Sequence, residues 1–341
     1  MTELGRSTGL SHPGRRRRRN EDAWVCHPPL FAVADGMGGA RGGEIASRVA
    51  ATALGESVDG SGEARVVALI QEANRQVYER AREDSDASGM GTTITVALFE
   101  NGLVSIGHVG DSRAYLIRDH NVDQLTEDHS LVAELVRTGR LSPEEAESHP
   151  QRSVITRALG TDPDVDVDSF SVQAQPGDLF LICSDGLTAM IGDEEILDVV
   201  EPRRDDLDAA AKELVAAANR SGGDDNITVV FFEVVEDGAE QRGETKPMPA
   251  LDLAPPPQLD DDTLTELDRV PTIDTMVVRP HEARSMGAGL VRPDGAAPGT
   301  VAEEEREPKP HFGVQAARMI IALAVIVGLL LLVYWLFGQS Q

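Results

Sequence analysis

Four short apolar runs, rich in β-branched residues, recur along the chain, and each has an aspartate at one end. LFAVADGMGG reaches Asp35, LVSIGHVGDSR breaks at Asp111, DLFLICSDG ends at Asp185, and NITVVFFEVV starts directly after Asp224 and Asp225. Runs of this length and composition are typical of buried strands. The pattern predicts that one edge of a sheet gathers these acidic side chains.

Other stretches have the spacing of amphipathic helices, namely residues 42–57, 63–84, 193–201 and 205–221. Asn101-Gly102 separates two strand-like runs and is a strong hairpin signal. Residues 128–160 are predicted to be helical and loop-like, with a capping-box pattern from Ser142 to Glu145. Hairpin-paired strands with two early and two late helices indicate an α+β fold.

The formal net charge is −27 over 341 residues. Such a charge repels nucleic acid phosphates, so we expect no DNA or RNA partner. The only two cysteines are Cys26 and Cys183. We expect no disulfide, a reducing compartment for the body of the protein, and no signal peptide, because the first residues lack an apolar stretch.

The composition changes after about residue 236. Eleven of the 19 prolines lie between Pro247 and Pro310, among acidic runs with little apolar periodicity. This composition is typical of a disordered linker. The sequence therefore predicts a folded domain over residues 1–236 and a linker over residues 237–314.

An uninterrupted apolar run, Met319–Phe337, follows the linker. Its length matches the roughly 20 residues that cross a bilayer as a helix. We therefore expect one transmembrane helix over residues 315–337 and a short outer tail over residues 338–341. Basic residues precede the span and no charge follows it, so the large domain is expected on the cytoplasmic side of the cell membrane.

The predicted acidic cluster needs a positive partner, because like charges held together repel. Hard oxygen ligands without Cys or His favour Mg²⁺ or Mn²⁺ over zinc or copper. For any one Asp-Gly pair an ordinary turn is the simpler interpretation. The recurrence of the pattern is what favours a metal site.

Eight short sequence motifs of the chain resemble those of a known family. In chain order they are RRRNED, VADGMGG, GMGTTITVAL, VGDSRAY, LTEDHS, ITRALG, CSDGL and DDNITVV. The chain resembles the metal-dependent protein serine/threonine phosphatases of the PP2C (PPM) type in their bacterial form, over roughly residues 5–236. The resemblance implies a four-layer αββα sandwich, in which two antiparallel sheets pack face to face with helices outside each. It also matches residues 128–160 to a mobile flap near the active site.

The resemblance implies two Mn²⁺ or Mg²⁺ ions and assigns their ligands. Asp35 would bridge both ions, with the backbone carbonyl of Gly36 beside it. The remaining ligands would be Asp185 and Asp225 on one ion, Glu21 and Asp22 on the other partly through water, and Asp111 near a third, weaker ion. Asp224 is expected to be a turn residue or a group that supports the ligands from behind, although a register shifted by one residue would exchange it with Asp225.

The resemblance also assigns substrate and proton chemistry. Arg17 matches the arginine that clamps the substrate phosphate. The neighbouring arginines leave the register open, and Arg18 or Arg19 on the same strand would face elsewhere or only assist. Many eukaryotic members have His where Met37 stands here, and a thioether cannot donate a proton. A metal-bound water or His129 would then protonate the leaving group, although His108 and His129 are each better explained as structural histidines.

The implied activity is hydrolysis of phosphoserine and phosphothreonine in proteins by a water held between the two ions, opposing a bacterial Ser/Thr kinase. An alternative is a phosphatase-like membrane scaffold that binds phosphoproteins through its domain and its tail, where Thr272 and Thr275 could be phosphorylated. Related phosphatases that act on anti-sigma factor antagonists would differ only in substrate.

Overall fold

The computed structural model of the chain describes residues 2–38, 42–83, 89–238 and 276–277. The predicted linker lies outside these ranges apart from residues 237–238 and 276–277. The predicted membrane segment and outer tail lie wholly outside them. Within the described ranges, no helix has the length and apolar character needed to cross a bilayer.

One sheet has five strands, which run in the order β1 (Thr2–His12), β12 (Ile227–Glu236), β11 (Leu179–Cys183), β7 (Arg113–Arg118) and β8 (Asn121–Gln124). Every neighbouring pair in this sheet is antiparallel. The edge strand β1 is not predicted by the hydrophobic pattern, because its side chains are mostly half-buried. Its main-chain pairing with β12 holds it, with one irregularity between Leu4 and Ser7.

The second sheet has the strand order β10 (Asp168–Gln173), β6 (Leu103–Val109), β5 (Ile94–Glu100), β3 (Leu30–Met37) and β2 (Asp22–His27), and the short β4 (Gly91–Thr92) also pairs with β3. It too is antiparallel. Asn101 and Gly102 join β5 to β6 with φ values of 53° and 77°. Positive φ at both central residues is what a type I′ hairpin turn requires, so this prediction is confirmed.

The two sheets pack face to face around three parallel phenylalanine rings. Phe232 of β12 stacks on Phe31 of β3 with ring centroids 4.2 Å apart, and on Phe180 of β11 at 4.8 Å. All three side chains are fully buried. This contact fixes how the ends of β3 and β11 lie relative to each other.

Helices cover the outer face of each sheet. On the second sheet lie α1 (Gly42–Ala53) and α2 (Gly62–Glu83), whose apolar faces pack on β5. On the first sheet lie α5 (Asp185–Thr188), α6 (Asp193–Val200) and α7 (Leu207–Arg220). The α+β fold with two antiparallel sheets is confirmed, and the helices complete four layers.

A smaller element projects between β8 and β10. It contains α3 (Leu131–Arg137), α4 (Pro143–Glu147) and β9 (Val154–Ile155), and we call residues 130–156 the flap. The Ser142 hydroxyl accepts from the Glu145 amide and the Glu145 carboxylate accepts from the Ser142 amide, so the predicted capping box is present. A two-residue strand of the tail, β13 (Met276–Val277), pairs with β9.

The arginine run is not part of a strand, contrary to our expectation. Residues 13–21 form turns and irregular backbone between β1 and β2. The Arg15 amide donates to the Gly223 carbonyl at 2.8 Å, which anchors this loop beside the start of β12. Long polar side chains give no burial pattern, so the sequence could not distinguish this loop from a strand extension.

Candidate active site

The acidic cluster forms where the two sheets meet, and not along one sheet edge as the strand pattern suggested. Asp22 opens β2 and lies opposite Asp35 of β3 in the second sheet. Asp185 follows β11 and begins α5, and Asp225 precedes β12, so these two come from the first sheet. The face-to-face packing of the sheets brings the four carboxylates to one end of the sandwich.

Close backbone approach shapes the turn after Asp35. A Cβ on Gly36 would lie 2.1 Å from the Gly43 carbonyl oxygen and 2.6 Å from that of Glu21. A Cβ on Gly43 would lie 2.9 Å from a Glu21 carboxylate oxygen. Only glycine fits at Gly36, and the Glu21 side chain lies against the same turn.

Asp35 is fixed through its main chain by the two threonines of GMGTTITVAL. Its amide donates to the Thr93 hydroxyl at 3.0 Å, and its carbonyl accepts from the Thr92 hydroxyl at 2.8 Å and the Thr93 amide at 2.9 Å. The Thr93 hydroxyl also bonds to that of Ser112 at 2.7 Å. These bonds leave the Asp35 carboxylate facing the cluster.

Asp22 has its two carboxylate oxygens in different roles. Oδ2 accepts from the Ser184 hydroxyl at 2.9 Å and from the Thr228 hydroxyl at 2.5 Å. Oδ1 is buried and has no hydrogen-bond partner. A buried oxygen without a donor is costly, so Oδ1 is suited to a ligand that supplies positive charge.

The donor directions around Thr228 follow from one another. Because the Thr228 proton goes to Asp22, the Ser11 hydroxyl donates to Thr228 Oγ1 at 2.6 Å, and the Asn20 amide donates to Ser11 at 2.7 Å. Sequence reasoning passed over Ser184 and Thr228, although both stand in the blocks CSDGL and DDNITVV. The available signal was a hydroxyl residue close to each aspartate.

The four carboxylates lie in a recess in which each keeps some solvent contact. The surrounding protein still raises the pKa values of Asp22, Asp35 and Asp185. Burial is the main cause for Asp35, whose pKa lies well above the usual range, followed by the charges of Asp22, Asp185, Asp225 and Asp111. Burial likewise raises the pKa of Asp22 to about 7 and that of Asp185 to about 6, with Asp225 adding to both. Nearby positive charge would therefore stabilise the ionised cluster.

Asp111, at the end of β6, also joins this electrostatic cluster. Burial raises the pKa of its carboxyl well above the ordinary value, and the Asp185 charge is the second cause. Arg113 opposes the shift. The placement of Asp111 agrees with a position near, but outside, the group formed by the four central carboxylates.

The arginine run divides between the recess and the surface. Arg17 donates to Asp225 Oδ2 at 2.7 Å, and its side chain is 19% exposed. Arg16 pairs instead with Asp224, and these side chains are 69% and 42% exposed. The structure therefore places Asp225, rather than Asp224, beside Asp22, Asp35 and Asp185.

The two histidines near the site are already engaged. His129 Nδ1 accepts from the Gly110 amide at 3.0 Å, while Nε2 lies 3.1 Å from Asp168 and 3.0 Å from Arg157. Burial, followed by the Arg157 charge, lowers the pKa of His129. His108 is fully buried, and burial lowers its pKa to about 3. Both residues have structural partners on each ring nitrogen, as expected.

The donor set fits hard divalent cations. Within the part of the chain that the structure describes, no three acidic, His or Cys side chains form a metal-binding group by themselves. Mg²⁺ and Mn²⁺ do not need such a group, because they accept backbone carbonyls and retained waters beside one or two carboxylates. The unpartnered Asp22 Oδ1 and the mutually repelling carboxylates agree with this kind of site.

Comparison with known proteins agrees with this geometry. The family model described as Protein phosphatase 2C matches residues 8–222. The serine/threonine phosphatase stp of Listeria welshimeri is 41% identical over 233 residues, which cover 64% of this chain and 92% of that protein. PstP of Mycobacterium tuberculosis, a serine/threonine protein phosphatase, is 39% identical over 269 residues, or 78% of this chain and 50% of that protein.

Solved structures show the same fold. The crystal structure of the PstP catalytic domain in complex with two manganese ions has a TM-score of 0.64 and 36% sequence identity, covering 69% of this chain and all of that one. The Stp1 structure from Staphylococcus aureus has a TM-score of 0.62 and 34% identity, covering 68% of this chain and 95% of that one. With its fold, its recess of carboxylates and these similarities, the chain belongs to the protein phosphatase 2C family.

Proposed function

We propose that this chain is a Mn²⁺- or Mg²⁺-dependent protein phosphatase that hydrolyses phosphoserine and phosphothreonine in proteins. The observation that carries the proposal is the convergence of Asp22, Asp35, Asp185 and Asp225 from two sheets beside Arg17. The relatives named serine/threonine phosphatases and the two manganese ions in the PstP structure support it. Its partners would be phosphorylated proteins and the Ser/Thr kinase that modifies them.

Each residue of the recess then has a role toward the ions. We assign Asp35 as the bridging ligand, with the Gly36 carbonyl beside it. The other assignments are Asp185 and Asp225 to one ion, Glu21 and the free Oδ1 of Asp22 to the second ion, and Asp111 to a third, weaker ion. The alternative of a non-catalytic scaffold would require a missing ligand, and every assigned position holds an oxygen donor.

When bound, the two ions would lower the pKa of a water held between them and offset the charge of the phosphate. The side chains supply orientation. Arg17 has a planar guanidinium that can give two parallel hydrogen bonds to phosphate oxygens, and its bond to Asp225 holds it at the edge of the recess. Met37 cannot protonate the leaving oxygen and His129 is engaged, which favours water as the proton donor.

We also propose that residues 315–337 anchor the phosphatase in the cell membrane, with residues 237–314 as a linker and the catalytic domain on the cytoplasmic side. The apolar run Met319–Phe337 and the basic residues before it support this. The anchor would confine the enzyme to phosphoproteins close to the membrane.

The anchor can be tested with the full chain expressed in a bacterial host. We expect it to remain in the membrane fraction after a high-salt wash, whereas a chain ending at residue 314 is released. Protease added to inside-out vesicles should remove the domain. Recovery of the full chain in the supernatant would contradict the proposal.

The role of Arg17 predicts a specific loss of activity. With Mn²⁺, the chain should hydrolyse a phosphothreonine peptide, and Arg17→Ala should lower kcat/KM by about 10²–10³-fold, because one preorganised donor to the phosphate is lost. Arg17→Lys keeps the charge but not the planar fork and should recover only part of the rate. The matched control is Arg16→Ala, on the exposed pair with Asp224. Equal effects of the Arg16 and Arg17 variants would refute the assignment, and a wild-type chain that folds yet is inactive would refute the function.

The hydroxyls of Ser184 and Thr228 both donate to Asp22, so removing one of them should change metal binding. Thr228→Val keeps the size of the side chain but removes one donor to Oδ2, so Oδ1 is held less firmly. We expect Mn²⁺ affinity, measured by calorimetry without substrate, to fall about 10–100-fold, the usual effect of losing a group that orients a metal ligand. Thr188→Val, on a hydroxyl that bonds only the Asp185 carbonyl at 3.5 Å, is the control. Unchanged affinity in Thr228→Val would rule out an orienting role.

The raised carboxyl pKa values predict how stability depends on pH. In the metal-free protein Asp22 titrates near 7, against about 3.9 in an unfolded chain. Between these two pH values the native state keeps the Asp22 proton, whereas the unfolded state has lost it. The free energy of unfolding therefore falls as pH rises across this window. Asp185, raised to about 6, acts in the same direction.

The measurement is Tm in chelator and in Mn²⁺ from about pH 5 to about pH 7.5. We expect Tm to fall with pH in chelator, and the stabilisation by Mn²⁺ to grow with pH, because the ions favour the ionised carboxylates. Asp22→Asn should flatten the pH dependence without metal. A Tm in chelator that rises across the window would contradict the proposed cluster.

A further inference from the structure

The tail returns to the domain at a single described point. Met276 lies opposite Val154 and Val277 opposite Ile155, in a parallel register that joins β13 to β9 of the flap. Residues 276–277 stand within RVPTIDTMVVRP, which is richer in β-branched and apolar residues than the acidic, proline-rich sequence before it. β-branched and aromatic residues are those that strands favour, so this composition suits an added strand.

The strand that receives the tail also touches the candidate active site. On its other side, Ile155 forms an antiparallel bridge with Ser130, and the Thr156 amide donates to the His129 carbonyl at 2.8 Å. The Ile155 side chain is fully buried and packs with Met37 and Ala158. Met37 follows Asp35 and Gly36 on β3, so β9 contacts the strand that carries Asp35 through the Ile155 side chain.

We propose that the edge of β9 that pairs with β13 is a docking surface for the chain's own tail segment Met276–Val277, which adds to the flap as a strand and competes there with protein substrates. Strand addition uses main-chain hydrogen bonds for affinity and alternate side chains for specificity, and it needs an available strand edge. The two-residue strand β9 offers such an edge.

The covalent connection explains how so short a pairing can be effective. Two paired residues by themselves hold any peptide weakly, but a segment of the same chain meets β9 at an effective concentration set by the connecting residues. A substrate segment would likewise be brought to β9 by the binding of its phosphate in the recess. While the tail is docked, an extended phosphoprotein segment cannot pair with the same edge. A small phosphate ester needs no such edge and should react equally well with the tail docked or released. The competition rests on the proposed phosphatase function, whereas the docking does not.

Hydrogen exchange on the full-length chain tests the docking. The Val154 and Thr156 amides donate to the Gln151 and His129 carbonyls, so the Ile155 amide is the one that reports the pairing with the tail. We expect it to exchange about fivefold faster in Val277→Asp than in the wild type, the factor for losing roughly one net main-chain hydrogen bond. Met276→Asp should act in the same way. Val301→Asp, the same change further along the tail, is the matched control. Equal exchange in all four chains would overturn the docking.

Kinetics on the same chains test the competition. In Val277→Asp and Met276→Asp we expect the KM for a phosphothreonine protein to fall about fivefold, while kcat/KM for p-nitrophenyl phosphate stays at the wild-type value. An unchanged KM for the protein substrate in chains whose exchange has increased would overturn the competition. Inactivity of every chain toward both substrates would count against the phosphatase function, and the exchange result would still decide the docking.

Discussion

Electrostatic repulsion among carboxylates at the end of two packed sheets is the constraint on which this structure depends. Asp22 and Asp35 come from one sheet, and Asp185 and Asp225 from the other. The stack of Phe31, Phe232 and Phe180 packs the two sheets against each other. A core of this kind stabilises an arrangement that the charges by themselves would push apart, and this makes divalent cations favourable there.

In the recess, neutral hydroxyl groups also fix the orientation of the charged carboxylates. The hydroxyls of Ser184 and Thr228 occupy one oxygen of Asp22 and leave the other free, while Thr92 and Thr93 fix the main chain of Asp35. None of these four residues is charged, yet they decide where the charge points. The geometry of the site therefore belongs as much to the strands that carry the hydroxyls as to the aspartates.

Much of this could be predicted from the sequence where the signal is local. The type I′ hairpin at Asn101-Gly102, the capping box at Ser142 and the long helix α2 each follow from short-range chemistry. The family blocks then supplied the two-sheet fold, which periodicity alone could not. Contacts between distant parts of the chain could not be predicted in this way. The strand pattern suggested that the carboxylates lie along one sheet edge, whereas the packing of two sheets brings them together.

The three features that the sequence did not predict, strand β1, the arginine loop and the role of Thr228, have separate physical causes. Strand β1 has few fully buried side chains, because it is an edge strand held mainly by its main-chain pairing with β12, so no hydrophobic pattern marks it. The loop of Arg15–Arg19 is polar throughout, and contacts distant in sequence, such as those of Arg15 with Gly223 and Arg17 with Asp225, give it a definite path. The role of Thr228 depends on Asp22 of β2, so local sequence could mark the hydroxyl residue near an aspartate but not the partner that it binds.

The contact between Gly36 and Gly43 has a consequence for how this enzyme can vary. The start of α1 presses on the metal-site turn so closely that even a methyl group at Gly36 would meet main-chain oxygens at 2.1 and 2.6 Å. Neither obstacle is a side chain that could rotate away. Diversity in specificity must therefore arise from the surrounding loops and the flap, and a mutational library aimed at new substrates should keep this glycine pair constant.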